Sequence, residues 1–281
     1  MRQVTMVILG VMLVCCFDLP KAAGTILFDD GLTHNIDWYT NEDVDVINDA
    51  FSGKATTVNL LPGGLVYSLI VVEDSQVNIS GGLVGGGVEE VWRWGQLRAF
   101  GNSRVNISGG SIQNTSYAYD NSQVIISGGL MGAGLLTSDN SQVIISGGSM
   151  PNSLLTYGNS QIIISGGEIL DLFAHDYSQV TVSGGSIENS IWAGRDSWDN
   201  NNCTISFVGN NFAINGISID YGEYNRQDWI SGTLTGTLAN GDFLNNEFYI
   251  YGDSRIVLIP EPATLLLLGL GGIFLQTKRK A

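Results

Sequence analysis

The sequence predicts an all-β fold, a parallel and right-handed β-solenoid of about eight coils closed by a β-rich C-terminal cap. Three observations carry this. An eight-residue phrase recurs along the middle of the chain, its period is near 19 residues, and each copy combines a β-branched run with a Gly-Gly pair. Ser75-Gln-Val-Asn-Ile-Ser-Gly-Gly returns at Ser103 and, with conservative changes, at Ser122, Ser141, Ser160 and Ser178. Degenerate copies surround Val58 and Cys203. The apolar position, read as Val58, Val77, Val105, Val124, Val143, Ile162, Val180 and Cys203, recurs at intervals of 19, 28, 19, 19, 19, 18 and 23 residues.

A period of 19 is too short for helical hairpin repeats. Each unit instead reads as a strand, a Gly-Gly corner, a second apolar stretch and an Asp/Asn/Ser turn. Alternation within the strand puts Val124 and Ile126 on one face, which a single unit cannot bury and a stack of units can. Each buried Val or Ile is worth roughly 1.5–3 kcal/mol. Right-handed winding follows from the preference of parallel crossovers. Ile112, Met131, Met150, Ile169 and Ile187 follow the Gly-Gly pairs and predict a second inward column. Gly81-Gly82 and its equivalents fit a corner that needs positive φ or close backbone approach. Asn102, Asn121, Asn140 and Asn159 align at the next turn and predict a stacked ladder. The longer intervals are insertions, from about Gly85 to Leu97 and from Arg195 to Asn201.

Residues 25–54 lack the repeat and are acidic, as expected of an N-terminal cap. Residues 55–209 hold the repeats. Residues 210–258 lose the phrase but stay strand-like, as in Phe248-Tyr-Ile-Tyr, and predict the C-terminal cap. Open stack ends otherwise invite aggregation.

The two ends are targeting segments. Residues 1–24 comprise a positive start, an apolar run from Val4 to Phe17 and small residues at Ala22-Ala23-Gly24, which is the pattern of a secretory signal peptide. Residues 259–281 run from Pro260-Glu261-Pro262 through the apolar stretch Leu265 to Leu275 to the basic end Lys278-Arg279-Lys280. The apolar stretch predicts a short transmembrane helix, marginal for a permanent span. The basic end keeps to the cytoplasm and leaves the preceding chain outside. This order of three parts resembles the PEP-CTERM sorting signal of bacterial surface proteins. The resemblance covers about the last 23 residues and implies recognition by an exosortase-type membrane protease, with cleavage near Pro260-Glu261-Pro262. It implies an address and not an activity.

Composition narrows the function classes. The chain has 281 residues, 37 of them Gly and only 5 Pro, which excludes collagen. Its formal net charge is −15, with 12 Lys and Arg against 27 Asp and Glu. Nucleic acid is therefore not an expected partner, since phosphate recognition needs a basic face. Arg93, Arg98 and Arg104 form the nearest approach to one, with Glu89 and Glu90 beside them. Cys15 and Cys16 fall in the signal peptide, so Cys203 alone remains and forms no intramolecular disulfide.

No nucleophile elbow, zinc spacing or phosphate loop occurs. Glu73, Asp120, Asp139 and Asp176 form an acidic column that could hold Ca²⁺. Gly101 and Gly158 interrupt it, and turn chemistry accounts for it better, so no cofactor is expected. Glu188 with Arg195 and Asp196 is the nearest approach to a polysaccharide-cleaving cluster, and His34 and His175 have no evident partners. Two surfaces suggest contacts instead. Ile125, Ile144 and Ile163 predict an outward apolar stripe. Tyr117, Phe173 and Trp192 predict an aromatic column near Tyr119 and Tyr157, suited to sugars or proteins. The reading is a non-enzymatic exported surface or matrix protein for adhesion or polysaccharide association, in contact with extracellular polysaccharide or neighbouring surface proteins. A polysaccharide lyase or hydrolase is the alternative, and ice binding a third class that the mixed outward columns fit poorly.

Overall fold

A computed structural model describes residues 24–85, 95–194, 202–228 and 230–261. The expected signal peptide up to residue 23, both insertions over 86–94 and 195–201, and the tail from Pro262 onward lie outside the described residues. So do Arg195 and Asp196 of the considered acidic cluster, and the expected transmembrane helix.

The described residues are all-β, with 24 strands joined in one mostly parallel sheet and no helix. Period-2 alternation is the cause. In Gln76–Ile79, Val77 and Ile79 are buried while Gln76 and Asn78 are half-buried, and the same pattern recurs in each copy. Equivalent residues pair in parallel from one repeat to the next along three ladders. The first ladder joins Val58, Val77, Val105, Val124, Val143, Ile162 and Val180 in register. The second holds Val84, Ile112, Met131, Met150 and Ile169, and Ile187 closes the column. All of these are buried, as the sequence predicts for the second inward column. The third ladder carries Leu97, Leu135, Leu154, Leu172 and Ile191 into the same core.

Three sequence expectations need correction. First, Val180 pairs with Ile205, and Cys203 instead occupies the serine position of the other copies. The copy begins at Cys203 as the others begin at serine, so its first inward residue comes two positions later. Second, the expected N-terminal cap joins the ladders. Thr33–Ile36 pairs with Thr57–Leu60, and Asp43–Val46 with Ser68–Val71, in parallel. These segments alternate like the rest but lack the flanking Ser and Gly-Gly that make a copy recognisable. Third, the C-terminal segment leaves the stack only briefly. Ser231–Leu238 pairs antiparallel with Thr204–Ile214 and with Phe243–Ile250. The chain then returns in parallel, Glu247–Ile250 against Ser190–Ala193 and Arg255–Pro260 against Thr204–Gly209. Tyr251-Gly-Asp-Ser-Arg-Ile-Val-Leu follows the pattern of Tyr157-Gly-Asn-Ser-Gln-Ile-Ile-Ile, a degenerate copy that reading by Gly-Gly overlooks. Among the described residues the first ladder is ten strands deep, two more than the eight copies read from the sequence.

Candidate functional surfaces

The side chains that face outward are set by the same alternation that builds the core. On the first ladder the stripe is in register, Ile125 beside Ile144 and Ile144 beside Ile163. Ile163 is 49% exposed, whereas Ile125 and Ile144 are half-buried. Gln123, Gln142, Gln161 and Gln179 run alongside, so the apolar stripe is three residues long and lies against amide groups. Thr181 ends it on one side and Asn106 on the other. Beyond Asn106 the outward position becomes a ladder of amides. Asn106 donates to Asn78, Asn78 to Asn59 and Asn59 to Asn35, each at 2.8 Å. This second ladder went unread in the sequence, although the Val-Asn-Ile and Val-Asn-Leu triplets mark it.

The third ladder faces outward through two adjacent columns. One holds Arg98, Tyr117, Leu136, Leu155, Phe173, Trp192 and Tyr249 in register. Tyr117 is therefore separated from Phe173 by two leucines, and the structure does not bring these two together. It does bring together Phe173 and Trp192, with ring centroids 5.7 Å apart. Trp192 also stacks on Tyr249 at 4.3 Å. Its indole N–H donates to Ser190 Oγ at 2.8 Å, and that hydroxyl donates to Asp171 at 2.7 Å. The ring is thus fixed by packing and by a hydrogen-bonded relay. Tyr249 donates to Glu247 at 3.1 Å, and this bond to a carboxylate raises its phenol pKa above the ordinary value.

The second column lies two residues further along the chain and contains Phe100, Tyr119, Ser138, Tyr157 and His175, of which His175 is buried. Phe100 stacks on Tyr119 at 5.2 Å, and Tyr157 meets His175 at 4.8 Å. Arg98 lies 5.8 Å from the Tyr117 ring centre, with its guanidinium hydrogen-bonded to Gln96, and a shallow groove runs between Arg98, Phe100, Tyr117 and Tyr119. Burial first, and Tyr117 beside it, raise the Tyr119 phenol pKa. Both histidines, which the sequence left without partners, are engaged. His34 lies 2.8 Å from Asp30 and stacks on Phe28 at 4.4 Å, and His175 stacks as above.

The acidic column occupies a left-handed turn. Glu73, Asp120, Asp139 and Asp176 have φ between 55° and 60°, and the interrupting Gly101 and Gly158 have φ of 65° and 61°. Only glycine and, among other residues, chiefly Asn and Asp visit this region readily. The carboxylates also bind backbone. Asp120 accepts from Gly101 N–H at 2.9 Å, Asp139 from Asp120 N–H at 3.1 Å and Asp176 from Gly158 N–H at 2.9 Å. Next to them Asn121, Asn140 and Asn159 donate each to the asparagine one repeat earlier, at 3.3, 3.5 and 3.4 Å.

The sorting residues begin inside the sheet. Pro260 ends the strand Arg255–Pro260 and pairs with Gly209. Glu261 accepts a hydrogen bond from Asn210 Nδ2. A proline at a strand terminus costs no ladder bond beyond its own missing N–H. Residues 258–280 match the family described as the PEP-CTERM protein-sorting motif. The chain carries a PEP-CTERM sorting tail. This places Pro260, Glu261 and Pro262 in the signature and Lys278, Arg279 and Lys280 at its basic end, with Pro262 and the basic residues beyond the described part. The PEP-CTERM tail implies export, membrane-anchored sorting to the cell surface and processing by exosortase. No curated protein and no solved structure matches the chain.

Proposed function

We propose that this protein is a non-enzymatic surface or matrix component whose repeats wind as a right-handed β-solenoid and present the third ladder's outer face to extracellular polysaccharide. An N-terminal signal peptide delivers it across the inner membrane, the tail holds it there, and exosortase cuts near the Pro-Glu-Pro. The rod requires no metal in this reading. The observation that carries the proposal is the outward aromatic column on a chain with a sorting tail. Phe173, Trp192 and Tyr249 are half-buried and stacked, and hydrogen bonds orient Trp192 and Tyr249, so little side-chain entropy is lost when a ligand settles on them. The charge of −15 favours neutral over anionic polymers. A structural role for the acidic column is supported by its three carboxylates that take backbone N–H groups, leaving the body with little clustered acid–base chemistry.

The test is a pair of measurements on protein from the native host. Intact mass in separated fractions should give a form that begins near Gly24 and ends near Pro260–Pro262, outside the inner membrane. Incubation with the host's extracellular polysaccharide should give co-sedimentation without release of shorter sugars. Retention of Lys278-Arg279-Lys280 in the inner membrane would sink the sorting step, and sugar release would replace the structural reading with the lyase or hydrolase.

A further inference from the structure

The second aromatic column of the third ladder has a gap at Ser138. On one side, Tyr119 meets Phe100 with centroids 5.2 Å apart and planes 13° from parallel. On the other, Tyr157 meets His175 at 4.8 Å and 31°. Coplanar rings lying side by side cannot approach this closely, so in both pairs the faces meet along the ladder direction. Phe100 belongs to the repeat before Tyr119, and His175 to the repeat after Tyr157. Each tyrosine therefore has the face used in that pair turned away from Ser138 and the opposite face turned toward it, and Tyr119 also stacks on Tyr117 of its own repeat, with centroids 5.8 Å apart and planes 8° from parallel. The backbone runs through the gap without interruption, since Ser138 N–H donates to Ala118 at 2.9 Å and Tyr157 N–H to Thr137 at 2.9 Å. No ring contact joins Tyr119 to Tyr157 among the described residues.

Two strand spacings separate the tyrosines, about 9.6 Å at about 4.8 Å each. Serine contributes a single heavy atom beyond Cβ, so the space that a ring occupies elsewhere in the column is left over. A flat aromatic ring between two others needs two contacts of about 3.5–4.0 Å, or about 7–8 Å in all. Rings within this column sit 5.2 and 4.8 Å apart, so the span between the tyrosines admits one further ring, flat or puckered. The edge of the gap is polar, formed by the turn residues Asp120, Asn121, Asp139 and Asn140, all of them exposed. Two apolar faces with carboxylate, amide and hydroxyl groups at the edge are the complement of a pyranose, which has apolar C–H faces and an equatorial belt of hydroxyls.

We propose that Tyr119, Ser138 and Tyr157 form a slot that takes one pyranose ring of a neutral polysaccharide edge-on, clasped between the two phenol rings. The slot rests on the polysaccharide reading above and names where on that face a sugar is held. Ser138→Tyr closes the slot by completing the column from Phe100 to His175. Ser138→Ala keeps it open, and Tyr119→Leu removes one wall.

The experiment measures binding of the full secreted chain to the host's extracellular polysaccharide and to a soluble neutral β-glucan by affinity electrophoresis, with thermal unfolding of each variant alongside. The expected result is binding within twofold of the original for Ser138→Ala, and at least a tenfold loss for Ser138→Tyr with an unchanged or higher Tm. Should Ser138→Tyr fail to fold, Tyr119→Leu carries the test, with a loss of at least fivefold expected. Binding by Ser138→Tyr equal to the original would overturn the slot and leave the polysaccharide reading standing. No binding of either polymer by the original chain would overturn both. Loss of self-association in Ser138→Tyr, with polymer binding unaltered, would assign the slot to an aromatic side chain of a second copy and overturn the sugar.

Discussion

Each repeat turns two well-defined corners, and they are built on opposite principles. The Gly-Gly corner after the first ladder works through missing atoms. A Cβ on Gly147 would stand 2.5 Å from Ser127 O, and Gly148 has φ of 86°. The Asp/Asn/Ser corner before the first ladder works through atoms that are present. Its left-handed residue is Asp, Glu or Gly, its asparagines bond along the stack, and its serines are buried at the join. The comparison explains why Gly-Gly is repeated with little variation while the other corner drifts in sequence. Excluded volume at a backbone contact admits one solution, whereas a hydrogen-bonding turn admits several of similar energy.

The largest effect is expected where no substitute exists. Gly147→Ala should destabilise the protein by about 3 kcal/mol or more, because the neighbouring atom is backbone and cannot rotate away. Equilibrium urea unfolding reads this as a lower midpoint. A loss below about 1 kcal/mol would show that the ladders slide apart easily, and the corner contrast would fail.

The other corner should discriminate by residue type. Asp139 has φ of 60°, so Asp139→Val should cost roughly 1–2 kcal/mol in left-handed strain, and Asp139→Gly much less. The sequence supports this directly, since Gly101 and Gly158 already fill the position. Equal losses for the two variants would mean that the carboxylate's bond to Asp120 N–H, and not the turn, sets the residue.

The buried serines sharpen the comparison within one column. Ser178 accepts from Thr156 at 2.8 Å and Ser160 from Thr137 at 3.2 Å. At the equivalent place before Ser141 and Ser122 the chain has Ala118 and Ala99, and the hydroxyls of Ser122 and Ser141 have no hydrogen-bond partner. Ser178→Ala should cost about 1 kcal/mol, as it strands a buried threonine hydroxyl, while Ser141→Ala should be neutral or stabilising. Cys203 extends the column, fully buried, with its thiol donating to Ala174 O at 3.1 Å and its pKa pushed by burial up to about 11. Its reaction with a disulfide reagent at pH 8 should require unfolding. Reaction in the native state at the rate of a free thiol would contradict that burial.

Legibility followed the same division. The first two inward columns, the Gly-Gly corner and the asparagine ladder at Asn102, Asn121, Asn140 and Asn159 were readable because each is fixed by a residue type at a constant interval. Thr33–Ile36 and Arg255–Pro260 escape recognition as copies because their cores alternate correctly but their corners are not glycine pairs. Cys203 reads as the equivalent of Val180 because an insertion precedes it, whereas counting from the serine position gives Ile205. The aromatic face was only half readable. The sequence gives the column of Tyr117, Phe173 and Trp192, but whether rings touch depends on what lies between, and Leu136 and Leu155 interpose. The relay from Trp192 through Ser190 to Asp171 spans two repeats and has no signal within one.

The smallest expected effect concerns the place where the two kinds of corner meet the excursion near the C-terminus. The loop between Ser231–Leu238 and Phe243–Ile250 sets Asp242 on the last Gly-Gly pair, and Gly185 N–H donates to its carboxylate at 2.7 Å. The glycine corner, which lacks side chains, here borrows one from another segment. The bond from Asn240, then that from Gly185, lowers the Asp242 pKa below its ordinary 3.8. A depressed folded-state pKa contributes stability that is present above the unfolded value and is lost as pH falls through the folded one. The contact should therefore hold down to the ordinary carboxylate range and loosen only below it. The group is solvent-exposed, so the change in global stability should be slight. The Gly185 amide shift in an NMR titration is the sensitive measure. It should move with an apparent pKa below 3.8 and stop titrating in Asp242→Asn. A titration at or above the ordinary value would mean that the loop does not rest on the corner in solution, and that the last Gly-Gly pair is as bare as those before it.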